Sequence, residues 1–424
     1  MTAWRRATGA AYQAWALART TPLVLVLLAV AALDELASGV ASTAAPAIEA
    51  SLMSSHRELA LCLFVVPGLA SLVLEPVVFL LADRYPRAWF VRAGLTVMAL
   101  AAVGAALAPG PIGLAIALSV SWVATGAGVA LAQATLLDAQ PTQRARTMAR
   151  WTLASLAGDL AAPAVLIGCT HADVAIRGDA WRGTYAVVAG ALVLGAIATM
   201  LVRFPRATGS GDDDDAPAPG LWATLRGALG DRHLMAWLLG VALCDLLDEL
   251  LVVLATLHVR DNLGGGAAAQ SATVAAFMIG GAVGLVALDR LLARRDERTL
   301  LVACAAACAV TLVVWLAMPT VATCVIAAIA VGATSAPLYP LAAARAYALR
   351  PGQAGLVLAA SHLFTPLGLA LPFVLGWVAD RAGVAVAIAT LLVEPIALLL
   401  LARRRDTIAR CDAGGAQRSE NTSA

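Results

Sequence analysis

Lysine is absent: all 29 basic residues are arginine. A phosphate-binding loop needs a lysine to reach the β- and γ-phosphates, so an ATP-driven pump of that type is excluded. Charge of either sign is scarce at 13% of residues, about half of what a soluble domain carries. The seven cysteines (62, 169, 244, 304, 308, 324 and 411) are scattered through mostly apolar runs without metal-ligand spacing. Cys304 and Cys308 stand four apart, but no histidine or second cysteine pair accompanies them. They read as small packing residues, and neither a metal site nor a cofactor is expected. No Ser/His/Asp set stands out, so the chain does not read as an enzyme. The net charge of +2 says little about partners, and no nucleic acid is expected among them.

What is present is apolar. Hydrophobic residues make up 61% of the 424, and mean hydropathy is +0.84. Apolar runs cover 21–42, 59–82, 90–109, 112–137, 151–170, 184–203, 234–257, 272–292, 299–318, 321–344, 353–377 and 384–402. Each is long enough to span a bilayer as a helix of about 20 residues. With the N-terminus in the cytoplasm, 24 arginines fall on or near the cytoplasmic face and five (57, 177, 182, 260 and 381) outside. The positive-inside rule therefore puts both termini in the cytoplasm. Arginine in place of lysine, with heavy alanine and leucine usage, reads as a GC-rich bacterial coding bias, and the expected location is a bacterial inner membrane. Residues 1–19 carry Trp4, Tyr12 and Trp15 among Arg5, Arg6 and Arg19, a pattern of an interfacial helix rather than a cleavable signal peptide.

The composition breaks once, at Gly209–Gly220, where Asp212, Asp213, Asp214 and Asp215 stand among glycine, serine and proline. This reads as a solvated, self-repelling loop. Leu221–Arg232 follows as a short amphipathic helix. The expected organisation is a six-helix bundle over 1–203, a cytoplasmic linker over 204–233, a second six-helix bundle over 234–402 and a disordered tail over 403–424. The halves echo one another: Leu33–Leu36 is matched by Leu247–Leu250, and Asp83-Arg84 after span two by Asp289-Arg290 after span eight. Parallel repeats place a substrate path at the interface of the halves.

The middle of the membrane is acidic. Asp34 and Glu35 interrupt span one; Asp245, Asp248 and Glu249 interrupt span seven. A charged side chain at the centre of a spanning helix costs roughly 2.5–3.5 kcal/mol on insertion scales. Asp245 lies three and four residues from Asp248 and Glu249, so the three share one stripe. Clustered carboxylates in a low dielectric cannot all ionise, and one that holds a proton near neutrality is what proton coupling needs. Asp34 and Asp248 are the favoured cavity residues; Glu35 and Glu249 face the cavity or other helices. Further polar candidates are Glu75 beside Pro76, Gln133, Asp159, Arg345 and His362, each of which either serves the cavity or satisfies a local structural need. Pro337, Pro340, Pro366 and Pro372 break spans ten and eleven in the manner of hinged helices.

Six plus six spans and these Asp-Arg loops resemble the major facilitator superfamily. Its loop signature G-x-x-x-D-R-x-G-R is matched by Phe79-Leu80-Leu81-Ala82-Asp83-Arg84-Tyr85-Pro86-Arg87 at Asp83, Arg84 and Arg87, with Phe79 and Pro86 in place of glycines. A fuller copy of its first part, Gly376–Gly383, follows span eleven. Gly158-Asp159-Leu160-Ala161-Ala162-Pro163 echoes the antiporter motif of span five. The resemblance implies an all-α membrane protein with twelve transmembrane helices in two pseudo-symmetric bundles. It also implies a gate built from Asp83, Arg84, Arg87, Asp289 and Arg290.

The expected function is proton-coupled transport of a small organic solute, cationic or amphipathic, outward across the inner membrane by a monomer. Small-molecule cargo, protons and the bilayer are its partners. Uptake of a neutral or anionic metabolite, with Arg345 essential, divalent-metal export, and a non-transporting receptor stay open as alternatives.

Overall fold

The computed structural model describes residues 2–52, 55–205 and 221–403, without the side chains of 2–21, 56, 57, 221–223, 245, 246, 248, 267 and 369. The acidic loop, the polar tail beyond residue 403 and the carboxylates of Asp245 and Asp248 therefore lie outside the described residues.

Twelve long helical segments form: α1 (Thr2–Thr43), α2 (Glu58–Ala82), α3 (Arg87–Leu107), α4 (Pro111–Ala139), α5 (Arg144–His171), α6 (Ala180–Leu201), α7 (Arg232–Asp261), α8 (Ala267–Leu291), α9 (Glu297–Leu316), α10 (Val321–Ala348), α11 (Ala354–Ala382) and α12 (Val384–Arg403). Among the described residues, all but α7 combine the length and apolar character needed to cross a membrane. At 30 residues α7 is the longest segment after α1, and it carries the acidic stripe at its middle. Alanine and leucine favour helix, and no strand forms among the described residues. The ends are set by side-chain caps and breakers. Asp231 accepts from the amides of His233 (3.0 Å) and Leu234 (3.3 Å) at the start of α7, and Asp296 accepts from the Thr299 amide (2.8 Å) at the start of α9. Gly383, at φ 92°, separates α11 from α12.

Several boundaries differ from the sequence reading by a few residues, two of them with a clear local cause. Helix α5 begins at Arg144 rather than near 151, because the arginine-rich turn before the apolar run is itself helical. The amphipathic helix spans Leu221–Leu229 and stops there, since Gly230 follows and Asp231 caps the next element.

Packing repeats between the halves. Helix α2 lies against α4 as α8 lies against α10, and α3 against α6 as α9 against α12. These parallels make the two bundles pseudo-symmetric. The halves meet where α2 packs on α11 and where α5 packs on α8 and α10. Several helices are irregular near this interface. Single π-helical turns occur at Leu61–Val65 in α2 and Gly126–Ala130 in α4, and a 3-10 turn at His362–Phe364 divides α11. Such interruptions are often found at functional sites.

Candidate functional site

The site is built from the acids of α1, α2, α5 and α7. Gly158 lets α5 lie flush on α1; a Cβ there would collide with the carbonyl oxygen of Ala32. That approach puts Asp159, the next residue, on the same wall as Glu35. A cavity of about 840 Å³ is lined by Asp34, Glu35, Glu75, Asp159 and Glu249, with Trp122, Thr125 and Tyr185. It follows α1 from Asp34 to Ser42 and α2 near Leu63 and Phe64. The Thr125 hydroxyl donates to Asp34 at 3.1 Å, and the Ser38 hydroxyl to Glu35 at 3.3 Å.

Two further chambers adjoin it. One of about 470 Å³ shares Glu35, Asp159 and Glu249 and adds Trp151, Phe277 and Tyr339. Another, about 430 Å³, is lined by Glu249, Gln133, Trp122, Tyr339, Tyr347 and Phe364. Glu249 lines all three, and among the described residues no arginine or histidine lines any of them. Glu35 and Glu249 thus reach the cavity alongside Asp34. The remaining acids of α7, Asp245 and Asp248, have no described side chains to compare.

At the opposite end of the bundle two ionic clusters tie the halves together. Asp83, just past α2, accepts the backbone amides of Gly355 (3.0 Å) and Leu356 (2.8 Å) at the start of α11. An exposed helix N-terminus with unpaired amides is a natural seat for a carboxylate. Arg87 lies 3.3 Å from Asp83 and 2.6 Å from Asp138, and also donates to the Gly352 carbonyl at 3.4 Å. Burial pushes the Asp83 carboxyl above its ordinary range, against the pull of Arg87 and the two amides. On the other seam Asp289 of α8 receives Arg146 and Arg150 of α5, both at 2.8 Å. Arg84 and Arg290 are exposed.

In the sequence Arg146 and Arg150 count only among the 24 arginines assigned to the cytoplasmic face. Their spacing of four on one helical face was the signal that both could reach a single carboxylate. Arg345 lies 3.7 Å from Glu297 and lines none of the three chambers. His362 sits with its Nε2 3.0 Å from Glu75 Oε2. The motif copy after span eleven lies at the other end of the bundle from Asp83, where Arg381 stacks over Trp377 of its own helix at 4.2 Å.

The Major Facilitator Superfamily profile matches residues 27–333. The chain belongs to the Major Facilitator Superfamily. Solved structures extend the likeness over the whole bundle. The E. coli fucose:proton symporter FucP superposes with a TM-score of 0.74 at 16% identity, covering 90% of this chain and 98% of that one. The proton:xylose symporter XylE gives 0.69 at 13% identity, covering 90% and 95%. A bacterial homologue of the iron transporter ferroportin, in its outward-facing state, gives 0.69 at 16% identity, covering 90% and 100%. No curated protein matches in sequence. The chain is therefore a multi-pass membrane protein of twelve-helix major facilitator fold, a secondary transporter of a small molecule rather than an enzyme.

Proposed function

We propose that this member of the superfamily is a proton-coupled exporter of small organic cations or amphipathic solutes across a bacterial inner membrane, working as a monomer by alternating access. The observation that carries this reading is the charge of the central cavity. Five carboxylates, Asp34, Glu35, Glu75, Asp159 and Glu249, line it, and among the described residues no arginine or histidine does. An anion entering such a chamber meets repulsion from every fixed charge, whereas a cation and a proton compete for the same oxygens. That competition is the chemistry of exchange. Asp245 and Asp248, on the same helix as Glu249, are assigned to the same set. Gln133 and the aromatic walls supply polar and cation–π contacts.

The two bundles, 1–203 and 234–402, are the moving bodies, and 204–233 links them. The arginine-rich end is the cytoplasmic one by the positive-inside rule, with both termini on that side. The latch residues Asp83, Arg87 and Asp289 then hold the cytoplasmic gate shut, which is the outward-facing arrangement. The position of Arg345 beside Glu297, away from the cavities, weighs against anionic uptake. Trp122 and Tyr185 in the cavity wall suit an organic cation better than a metal ion. The fucose and xylose symporters share the fold and lend no argument about cargo.

The test is thermal stabilisation of the purified chain by an aromatic cation, tetraphenylphosphonium, at about pH 6 and about pH 8. Stabilisation is expected to be larger at the higher pH, where protons compete less, and to lose that difference in Glu249→Gln. Stabilisation by organic anions alone, unaffected by Glu249→Gln and abolished in Arg345→Ala, would overturn the reading in favour of anionic uptake.

A further inference from the structure

The halves touch at one more charged contact, inside the bundle. Two turns along α2 from Asp83, Glu75 reaches His362 of α11, Nε2 to Oε2 at 3.0 Å. The two side chains are 11% and 15% exposed, so little water screens them. The backbone is irregular at both partners. Pro76 follows Glu75, and Gly126, in the π-helical turn of α4, packs on its carboxyl; a Cβ at 126 would stand 2.8 Å from Glu75 Cδ. His362 opens the 3-10 turn that divides α11, with Pro366 in the next turn. The Phe79 ring covers the imidazole at 5.4 Å.

Access to the pair is one-sided. Glu75 lines the 840 Å³ cavity together with Asp34. His362 lines none of the three chambers, and its Nδ1 is buried with no hydrogen-bond partner among the described residues. Among the described residues, Asp34, Glu35, Asp159 and Glu249 line the same cavity as Glu75, Tyr347 lines a chamber with the residues flanking His362, and Asp83 with Arg87 and Asp138 forms the latch two turns along α2. The one cation in that set, Arg87, is engaged by Asp83 and Asp138.

We propose that Glu75 and His362 hold the coupling proton across the seam between the halves, taking it up from the outward cavity and releasing it to the cytoplasm when α2 and α11 part. The inference rests on the proton-coupled reading above and assigns its proton to one of the five cavity carboxylates, Glu75, through its contact with His362. The balance is simple. One proton enters through Glu75 and bridges its carboxylate and the imidazole Nε2. Parting of the helices removes one partner from the other, and the proton leaves to cytoplasmic water with no other bond changed. Because the bridge exists only while the cytoplasmic side is shut, proton occupancy and the closed seam are linked.

The test measures the seam directly. Spin labels placed at Tyr85 and Gln353 through an unnatural amino acid, which leaves the native cysteines untouched, report the separation of the two halves in nanodiscs. Both positions are exposed, on opposite sides of the α2–α11 seam. Between about pH 6 and about pH 8.5 the wild-type closed-to-open ratio is expected to fall, by up to about tenfold per pH unit for one proton. Glu75→Gln and His362→Gln each remove one of the two proton-binding groups, and His362→Gln keeps an N–H donor toward Glu75. Each is expected to flatten the profile, and the double variant is expected to add nothing. If the Glu75 variant fails to fold, His362→Gln alone decides. An unchanged pH profile in His362→Gln overturns the proposal. If, in addition, Glu249→Gln abolishes the profile, the proton belongs to the central acids and the proton-coupled reading stands without this pair. A wild-type seam indifferent to pH overturns both.

Discussion

Asp231 does two jobs with one carboxylate. It caps the first turn of α7 through the His233 and Leu234 amides, and its other oxygen receives Arg350 at 2.8 Å. Burial pushes its pKa up, but the Leu234 amide, Arg350 and the His233 amide outweigh that and hold it below the ordinary 3.8. A depressed carboxylate contributes stability that is present above the unfolded value and lost as pH falls through the folded one. Asp231→Ala is therefore expected to cost about 1–2 kcal/mol at neutral pH, the scale of a lost N-cap. In thermal melts the gap to the parent chain closes as the pH drops below 3.8. Arg182 makes the matching case at the other end of the bundle. It is 3% exposed, bonds the Ala106 and Ala108 carbonyls at 3.0 and 2.7 Å, and pairs with Asp179 at 2.9 Å. Removing it leaves two carbonyls and a carboxylate without their donor. Arg182→Met is expected to destabilise by about 3 kcal/mol, read as a lower melting temperature with no change at the latch.

Among the elements, what could be read in advance was whatever the bilayer makes expensive. Asp34, Glu35 and Glu249 stood out because each carboxylate interrupts an apolar run, and all three line the cavity. The prolines marked α10 and α11 as broken, and the breaks occur at Pro337 and at the turn before Pro366, while Pro372 leaves α11 helical. The π-helical turns had no such marker. An i→i+5 bond forms without proline, from packing that a single sequence does not display. Gly126–Ala130 could be recognised only once Glu75 was seen against it. For the same reason the partners of Asp83 could not be read: two of them are backbone amides of residues 272 and 273 positions away. Gly126→Ala tests the fit of this element. The new methyl displaces Glu75 from the seam at a cost of about 1–3 kcal/mol, and melts of the variant together with Glu75→Ala are expected to recover most of it.

At the scale of the whole molecule, the proposed latch must be strong enough to close and weak enough to open in every cycle. Its ion pairs are partly exposed, from 13% at Arg87 to 40% at Arg150, and exposed pairs of this kind contribute little each. The capping bonds of Asp83 are the stronger component, because two helix amides lose their only acceptor when the halves part. The latch therefore divides into two unequal arms on different seams, one on α2–α11 and one on α5–α8, that share no residue. A cysteine introduced at Ser361, in the chamber lined by Glu249 and Tyr347, reports opening through its alkylation rate. Asp83→Asn, which keeps one acceptor oxygen but removes the charge, is expected to raise that rate about five- to 150-fold, corresponding to a loss of 1–3 kcal/mol from the closed state. Asp289→Asn is expected to raise it by less, since each of its arginines retains a route to water. Separate seams predict that the free energies add in the double variant. A double variant no faster than Asp83→Asn alone would mean that the α5–α8 arm is ornament and that the Asp83 cap alone holds that end of the bundle shut.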